Sequence, residues 1–339
     1  MLDSIRVSTP MFYTDKITIE NGWQQRTDSF LQFWKNVKLD NKANIHIEFY
    51  PYTSTLVLHF SASKVQNGTN AIAYDFARSA AVENTITRIV EEELGVKTKT
   101  KDMLICRLDL NRDFVYEDEE TVNAVLDFAN KILPARCERR KDYENGFTSQ
   151  TKKGNGLRVY PKHKDKHLPK KERNKMDPTV RFEFQMNKKS ATRIFGYRPN
   201  LHQILTNKVS VELAWNKLLK VYCLDKEIVT RKELHEFTIK NITQLSIKNA
   251  LQQMNDEPDF SDKEFRKKQL AVTRKFKSFG ICPYSCEAPI MMKIKVCDTI
   301  MKMRKEKRIW NNTANNRPYK SKTIVRDTPR NSKWYLDSS

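Results

Sequence analysis

The sequence predicts an α+β fold, an antiparallel sheet with helices on one face, followed by a helical C-terminal domain. Three observations lead there. The segments Ile105 to Asn111, Leu157 to Lys162 and Val180 to Gln185 alternate polar and apolar residues, the period of a half-buried strand. With a hairpin and two amphipathic stretches they read β-β-α-β-α-β-β, an order that suits an antiparallel sheet with helices on one side. After Gly196 the apolar spacing becomes helical.

In chain order, residues 1–39 are mixed and give no clear element. Asp40 to Asn44 is turn-like. Ile45 to Phe49 and Thr55 to Phe60 alternate and enclose Pro51-Tyr52-Thr53-Ser54, so they read as a hairpin. Ser61 to Asn70 reads as a polar, glycine-containing loop. A helix is expected from about Ala73 to Glu93, with Ala77, Ala80, Ala81, Ile86, Ile89 and Val90 on its buried side and Gly95 as its stop. The strand of Asp109 follows. An acidic start at Glu117-Asp118-Glu119-Glu120 suits a helix dipole and opens a helix through Val122, Val125, Leu126 and Phe128 to Leu133, before Pro134. A polar hairpin around Lys152 to Gly156 leads to the strand of Tyr160, and the strand of Glu183 comes last. Between those two, residues 164–178 form a lysine-rich segment expected to be a mobile loop over phosphates. Leu201, Leu205, Val209 and Leu213 recur every fourth residue and predict one helical face, which Leu218, Leu219 and Tyr222 carry onward. Thr230 with Glu233, and Ser261 with Glu264, match the capping box that opens a helix. Gly280 ends the second of these, and a last helix is expected from about Ala288 to Arg304. The expected domains are therefore 1–196, a catalytic sheet domain; 197–305, a helical DNA- or partner-binding domain; and 306–339, a basic tail.

The 339 residues include 62 Lys and Arg against 41 Asp and Glu, a net charge of +21 that favours a polyanionic partner such as nucleic acid. The first residues carry no apolar signal-peptide core, and no stretch is long enough to span a bilayer, so no membrane partner and a cytoplasmic setting are expected. The six cysteines are scattered. Cys282, Cys286 and Cys297 fit no common zinc spacing and read as free thiols.

The alternation places the chemistry. Arg107, Asp109 and Asn111 share a face of one strand; Arg158, Tyr160 and Lys162 of another; Arg181, Glu183 and Gln185 of a third. Their opposite faces, with Leu108, Leu110, Val159, Phe182 and Phe184, read as core. If the three strands are neighbours, a phenol, two carboxylates, three arginines and a lysine meet on one surface. Tyr160 would be a nucleophile toward a phosphodiester, helped to ionise by Lys162 and a divalent metal. Asp109 and Glu183 are hard oxygen ligands suited to Mg²⁺ or Mn²⁺. Arg107, Arg158 and Arg181 would clamp phosphate or hold the carboxylates, and Lys164, Lys166, Lys170 and Lys171 would bind DNA backbone. His46 and Glu48 share a face and resemble the His-hydrophobic-His metal motif of nicking relaxases, with Glu48 in place of the second histidine. They are candidates for a third ligand.

Four blocks in order carry a resemblance to the gene II/gene X replication initiators of filamentous phages and related plasmid rolling-circle proteins. Leu58 to Asn70 resembles that family's strand, Ser-x-x-Lys and Gly-x-Asn loop. Ile105 to Asp109 resembles its Arg-hydrophobic-Asp strand, Val159 to Asp165 its Tyr-x-Lys block, and Val180 to Glu183 its Arg-hydrophobic-Glu strand. The resemblance spans about residues 55–190. It implies an Mg²⁺-dependent endonuclease that nicks one strand of origin DNA, stays on the 5′ phosphate through Tyr160, leaves a 3′ hydroxyl for a host polymerase, and later closes the displaced circle. A host helicase and a bacterial cytoplasm go with that reading. Asp109, Glu183 and Lys162 fall on the matching positions. Two departures stand out. Pro161 follows the tyrosine, which implies an edge strand or a strand end, and Thr69 stands where the family often has His. Two alternatives remain open, a non-enzymatic module whose Tyr160 stacks on a base and a metal nuclease that uses water. The nucleophile could also be Tyr197 or Tyr143.

Overall fold

The computed structural model describes residues 1–292 apart from 27–30, 133–137, 144–145, 151–154, 257, 259–261, 289 and 291, and for residues 138–143, 147 and 150 the backbone alone. The fold is α+β. Among the described residues ten strands make one sheet. They are β1 (Leu2–Pro10), β2 (Gln24–Arg26), β3 (Gln32–Lys38), β4 (Asn44–Tyr50), β5 (Thr55–Ser61), β6 (Leu104–Val115), β7 (Glu138–Tyr143), β8 (Gly146–Gln150), β9 (Gly156–Pro161) and β10 (Thr179–Asn187). Their order is β2-β3-β4-β5-β1-β6-β10-β9-β8-β7, and every pairing is antiparallel.

The alternation works as expected in the centre of the sheet. Leu108 and Leu110 of β6, Val159 of β9 and Phe182 and Phe184 of β10 are all buried in one core. Each such side chain stabilises the fold by roughly 1.5–3 kcal/mol. Pro161 is the last residue of β9, and β9 is flanked by β10 and β8, so the proline marks a strand end rather than a sheet edge.

The helices are α1 (Ala62–Asn67), α2 (Ser79–Leu94), α3 (Glu119–Asn130), α4 (Lys170–Arg173), α5 (Lys188–Phe195), α6 (Leu201–Thr206), α7 (Lys208–Val221), α8 (Arg231–Asn241), α9 (Leu245–Asp256) and α10 (Lys263–Phe279). Several differ from expectation. Residues 61–70 are not all loop, because the Ser61 side chain accepts the Lys64 N–H and Gly68 closes α1 in the left-handed region. The helix expected from Ala73 begins at Ser79, after a tight turn at 76–78; its buried stripe is Val82, Ile86, Ile89, Val90 and Leu94, while Ala80 and Ala81, and Ala77 in the turn, are exposed. The sequence reading weighted small residues where larger β-branched ones take the core. Gly95 does end α2. Asn207 separates α6 from α7 and resets the helical phase. Val209 and Leu213 are therefore half-buried, and Val211, Ala214, Trp215, Leu218 and Leu219 face the core. Thr230 and Glu233 form the expected capping box. The cap of α10 is Asp262, whose carboxylate takes two backbone N–H groups, one residue after the expected Ser261. Gly280 ends α10 as expected.

The described residues up to 292 belong to one compact unit. Within it, Ile105 N–H donates to Pro199 O at 3.0 Å and Leu201 N–H to Met103 O at 2.8 Å, which ties α6 to the start of β6. The Phe184 ring meets Trp215 and Tyr222 at 4.9 and 5.1 Å. The hairpin tip at 152–154, most of the expected helix at 288–304, Cys137, Cys297 and the basic tail lie outside the described residues. No helix among the described residues is long and apolar enough to cross a membrane.

Candidate active site

The register fixes which polar side chains meet. Across β9, β10 and β6, Tyr160 pairs with Arg181 and Arg181 with Asp113. In the next row Arg158 pairs with Glu183 and Glu183 with Asn111; in the third, Gly156 pairs with Gln185 and Gln185 with Asp109. The three predicted strands are thus neighbours and present one polar face. Asp109 and Glu183 are diagonal rather than opposite, a Cα separation of about 7–8 Å.

One residue the sequence reading missed completes the group. Leu2 pairs with Leu110 and Ile5 with Leu108, and a register shift lies between them. Both are core, so the bulge turns Asp3 to the polar face. Asp3 is buried, accepts a hydrogen bond from Ser61 Oγ at 3.1 Å, and lies 3.6 Å from Arg181 Nη1. No periodic signal could have shown this, because a bulge breaks the alternation that marks a strand face.

Asp3, Asp109 and Glu183 are all buried on this face. Burial, then Asp3, then Asp109 push the Glu183 carboxyl up to about 7, against the pull of Arg158 at 3.3 Å. Burial and Asp3 also raise Asp109, although Arg107 grips both its oxygens at 3.0 Å. Burial is the larger cause of both shifts, and the neighbouring carboxylates add to it.

Tyr160 sits in a cavity of about 570 Å³ lined by Asp3, Ser61, Lys64, Asn70, Arg158, Lys164, Asp165, Lys166, His167 and Glu183. Burial drives its phenol well above the ordinary value of 10, while Arg181 pulls the other way. Lys162 lies one residue beyond β9 in a tight turn and is fully buried. Its Nζ stands 5.7 Å from the Tyr160 ring centre and donates to Asp165 Oδ2 at 2.7 Å and Asn70 Oδ1 at 3.1 Å. Burial and Arg181 lower its pKa, so its proton is held less tightly than on a free lysine.

Arg181 is buried too. It donates twice to Asp113, at 2.5 and 2.6 Å, and once to the Asn70 carbonyl at 3.0 Å. Its Nη1, like Nε of Arg158, is buried without a hydrogen-bond partner. Asn70 therefore holds both cations beside Tyr160, Lys162 through its side chain and Arg181 through its backbone. Asn70 and Asp113 are further site residues that the spacing alone did not single out.

The lysines divide. Lys164 and Lys166 line the cavity, though Lys164 also meets Glu119 at 2.8 Å. Lys170 and Lys171 sit exposed on α4. That segment is tied to the Gly68 turn by a 2.6 Å hydrogen bond from Thr69 Oγ1 to Glu172.

His46 and Glu48 do not join the group. They are on β4, with β5 and β1 between them and β6, a displacement of about 14 Å. Glu48 is engaged by Arg6 at 2.5 Å, Tyr50 at 2.7 Å and His46 at 3.1 Å, and His46 also meets Asn36 at 2.8 Å. Tyr197 does not line the cavity, and the side chain of Tyr143 lies outside the described residues. Cys282 and Cys286 are buried free thiols, as expected.

In kind, the donor set suits a hard divalent cation: carboxylate oxygens from Asp3, Asp109 and Glu183. Among the described residues no three His, Cys, Asp or Glu side chains close on one point. The diagonal offset and the Arg107 fork on Asp109 account for that. Asp3 and Glu183 reach the cavity, and Asp109 stands behind them.

No protein-family model matches this chain, and no curated protein matches it.

Proposed function

We propose that this chain is a rolling-circle replication initiator, a site-specific endonuclease that nicks and rejoins one strand of origin DNA through Tyr160. The observation that carries the reading is the placing of the Tyr160 phenol in an open cavity, flanked by buried Lys162 and Arg181 and half-buried Arg158, the two arginines each with a buried N–H that has no hydrogen-bond partner. The four-block resemblance supports it independently. The substrate is single-stranded or locally melted origin DNA.

In this mechanism the Tyr160 oxygen attacks phosphorus. The O–P bond to tyrosine forms as the bond from phosphorus to the 3′ oxygen breaks. The phenol gives up its proton, and the departing 3′ oxygen takes one up, so no water is consumed and rejoining is the reverse step. The Lys162 ammonium favours the phenolate, and Arg181 and Arg158 hold the phosphate by charge-assisted hydrogen bonds. Mg²⁺ or Mn²⁺, held by Glu183 and Asp3 with Asp109 behind them, would neutralise charge on the non-bridging phosphate oxygens. The 3′ hydroxyl suits a host polymerase, and continued unwinding calls for a host helicase, in a bacterial cytoplasm.

The test is a denaturing gel of the purified protein with Mg²⁺ and labelled single-stranded DNA from its own replicon's origin. A covalent adduct is expected, and Tyr160→Phe should abolish it. An adduct that persists in the variant moves the chemistry to another tyrosine. Cleavage without an adduct means a water-using nuclease, and binding alone means a non-catalytic module.

A further inference from the structure

The departing 3′ oxygen takes up a proton, and neither arginine beside Tyr160 can supply it, because a guanidinium keeps its protons. Lys162 is fully buried and held by Asp165 and Asn70. The cavity is lined by Lys64, Lys164 and Lys166 as well. Lys164 meets Glu119 at 2.8 Å, and both Lys164 and Lys166 belong to the segment that leads away from Tyr160. Lys64 differs on both counts. It belongs to α1, which follows β5 and packs against β1 and β5. Tyr160 is on β9, and β1, β6 and β10 lie between β5 and β9. Lys64 is half-buried, yet among the described residues no side chain or carbonyl takes its ammonium.

Taking a cation partly out of water without a partner costs free energy. The fold nevertheless fixes the residue that carries it. Lys64 N–H donates to Ser61 Oγ at 3.4 Å, and Ser61 Oγ donates to Asp3 at 3.1 Å. Lys64 O accepts from Gly68 N–H at 2.7 Å and from Asn41 Nδ2 at 3.3 Å. Gly68 is in the left-handed region, and a Cβ there would come within 2.8 Å of Asn41 O, so the turn after α1 admits little else. The backbone of Lys64 is thus set from both sides, and its ammonium is left for the cavity.

Resting on the nicking reaction above, we propose that Lys64 is the general acid for the departing 3′ oxygen. In-line displacement puts the attacking and leaving oxygens on opposite sides of phosphorus. Tyr160 attacks from the β9 side, so the 3′ oxygen leaves toward α1. As the bond from phosphorus to that oxygen breaks, Lys64 gives the oxygen a proton and becomes a neutral amine. An ammonium is a stronger acid than the alcohol formed, so the transfer runs downhill. The proton lost when Tyr160 ionises passes to solvent, and solvent restores one to Lys64. In rejoining, the neutral amine takes the proton of the 3′ hydroxyl as that oxygen attacks phosphorus and the tyrosine oxygen leaves.

The test uses the full chain and two single-stranded origin substrates, one natural and one with sulfur in place of the bridging 3′ oxygen. A thiol ionises near pH 8.5, so a thiolate leaves without a proton. Single-turnover adduct formation is followed for wild type, Lys64→Met, Lys64→Arg and Tyr160→Phe at equal Mg²⁺ and saturating DNA. On the natural strand both Lys64 variants should be slower than wild type by about a hundred-fold or more. On the sulfur strand both should come within about three-fold of it, since no acid is needed. Arginine keeps the charge but gives up no proton, so a lysine that merely held phosphate would leave Lys64→Arg active on both strands. That result, equal slowing on both strands, or no slowing at all overturns the inference. Each variant is its own control for folding, because a partly unfolded sample slows both strands alike and leaves their ratio unchanged. Tyr160→Phe keeps the parent reading separate. It should form no adduct on either strand, whatever Lys64 does. An adduct in that variant, or none in wild type, overturns the Tyr160 reaction and this inference with it.

Discussion

Glu183 is held at a cost to stability, and that cost can be measured. Its carboxyl stands at about 7 in the folded chain against an ordinary 4.5, so the folded state binds this proton more tightly than the unfolded state. The resulting stability is fully present below about pH 4.5 and is lost as pH rises through about 7. Glu183→Gln keeps the shape and removes the charge. In metal-free protein the amide should raise Tm at about pH 8, by an effect on the order of 2–3 kcal/mol, and change it little near pH 4. Mg²⁺ should raise the Tm of wild type but not of the variant, and the variant should form no adduct. A wild type as stable as the variant at about pH 8 without metal would remove the argument that burial, with Asp3 beside it, raises Glu183. Asp113 is a positioning residue by the same logic: it touches Arg181 and not the cavity. Asp113→Asn should weaken that grip and cut adduct formation about ten-fold or more at saturating DNA, leaving DNA affinity nearly unchanged. A loss confined to affinity would instead make Arg181 a simple binding group.

At the scale of elements, the site depends on how closely β8 approaches β9. Gly146 stands where a Cβ would come within 2.5 Å of the Val159 carbonyl and 2.9 Å of Tyr160 Cβ. Neither can swing aside, since one is backbone and the other is the root of the side chain. Gly146→Ala must displace a strand, at a cost of about 1–3 kcal/mol, and it should lower adduct yield beyond what the Tm loss explains. A variant with native Tm and native yield would show that the approach has slack. The contrast with β1 shows what the sequence could convey. The strands β6, β9 and β10 were legible because Arg107 to Asn111, Arg158 to Tyr160 and Arg181 to Gln185 keep strict alternation over a buried face. Asp3 was not, because the bulge between Leu2 and Ile5 puts two residues where the period allows one. Nor was the offset of Asp109 from Glu183: alternation gives the face, while register depends on partners far away in the chain. The α2 stripe was half legible, since Ile86, Ile89 and Val90 mark the buried side but the small alanines do not outweigh Val82 and Leu94.

For the whole molecule, the net charge of +21 sets how binding responds to salt. Counterions released by phosphate contacts make log K fall with log salt, with a slope of about 0.7 per phosphate neutralised on a single strand. Lys164, Lys166, Lys170 and Lys171 lie on one segment beside Tyr160, but they do not count equally. Lys164 already faces Glu119, and that exchange returns part of its gain. Lys170 and Lys171 are exposed on α4, and Thr69 anchors that helix through Glu172. Changing all four to Ala should therefore flatten the slope for single-stranded DNA by about 1–3, and an unchanged slope would place the phosphate contacts elsewhere. Thr69→Val removes no charge and should leave that slope alone. It frees α4 from the Gly68 turn, so its effect should appear as slower adduct formation at equal occupancy. A Thr69→Val variant that forms adduct at the wild-type rate would show that α4 keeps its place without that bond.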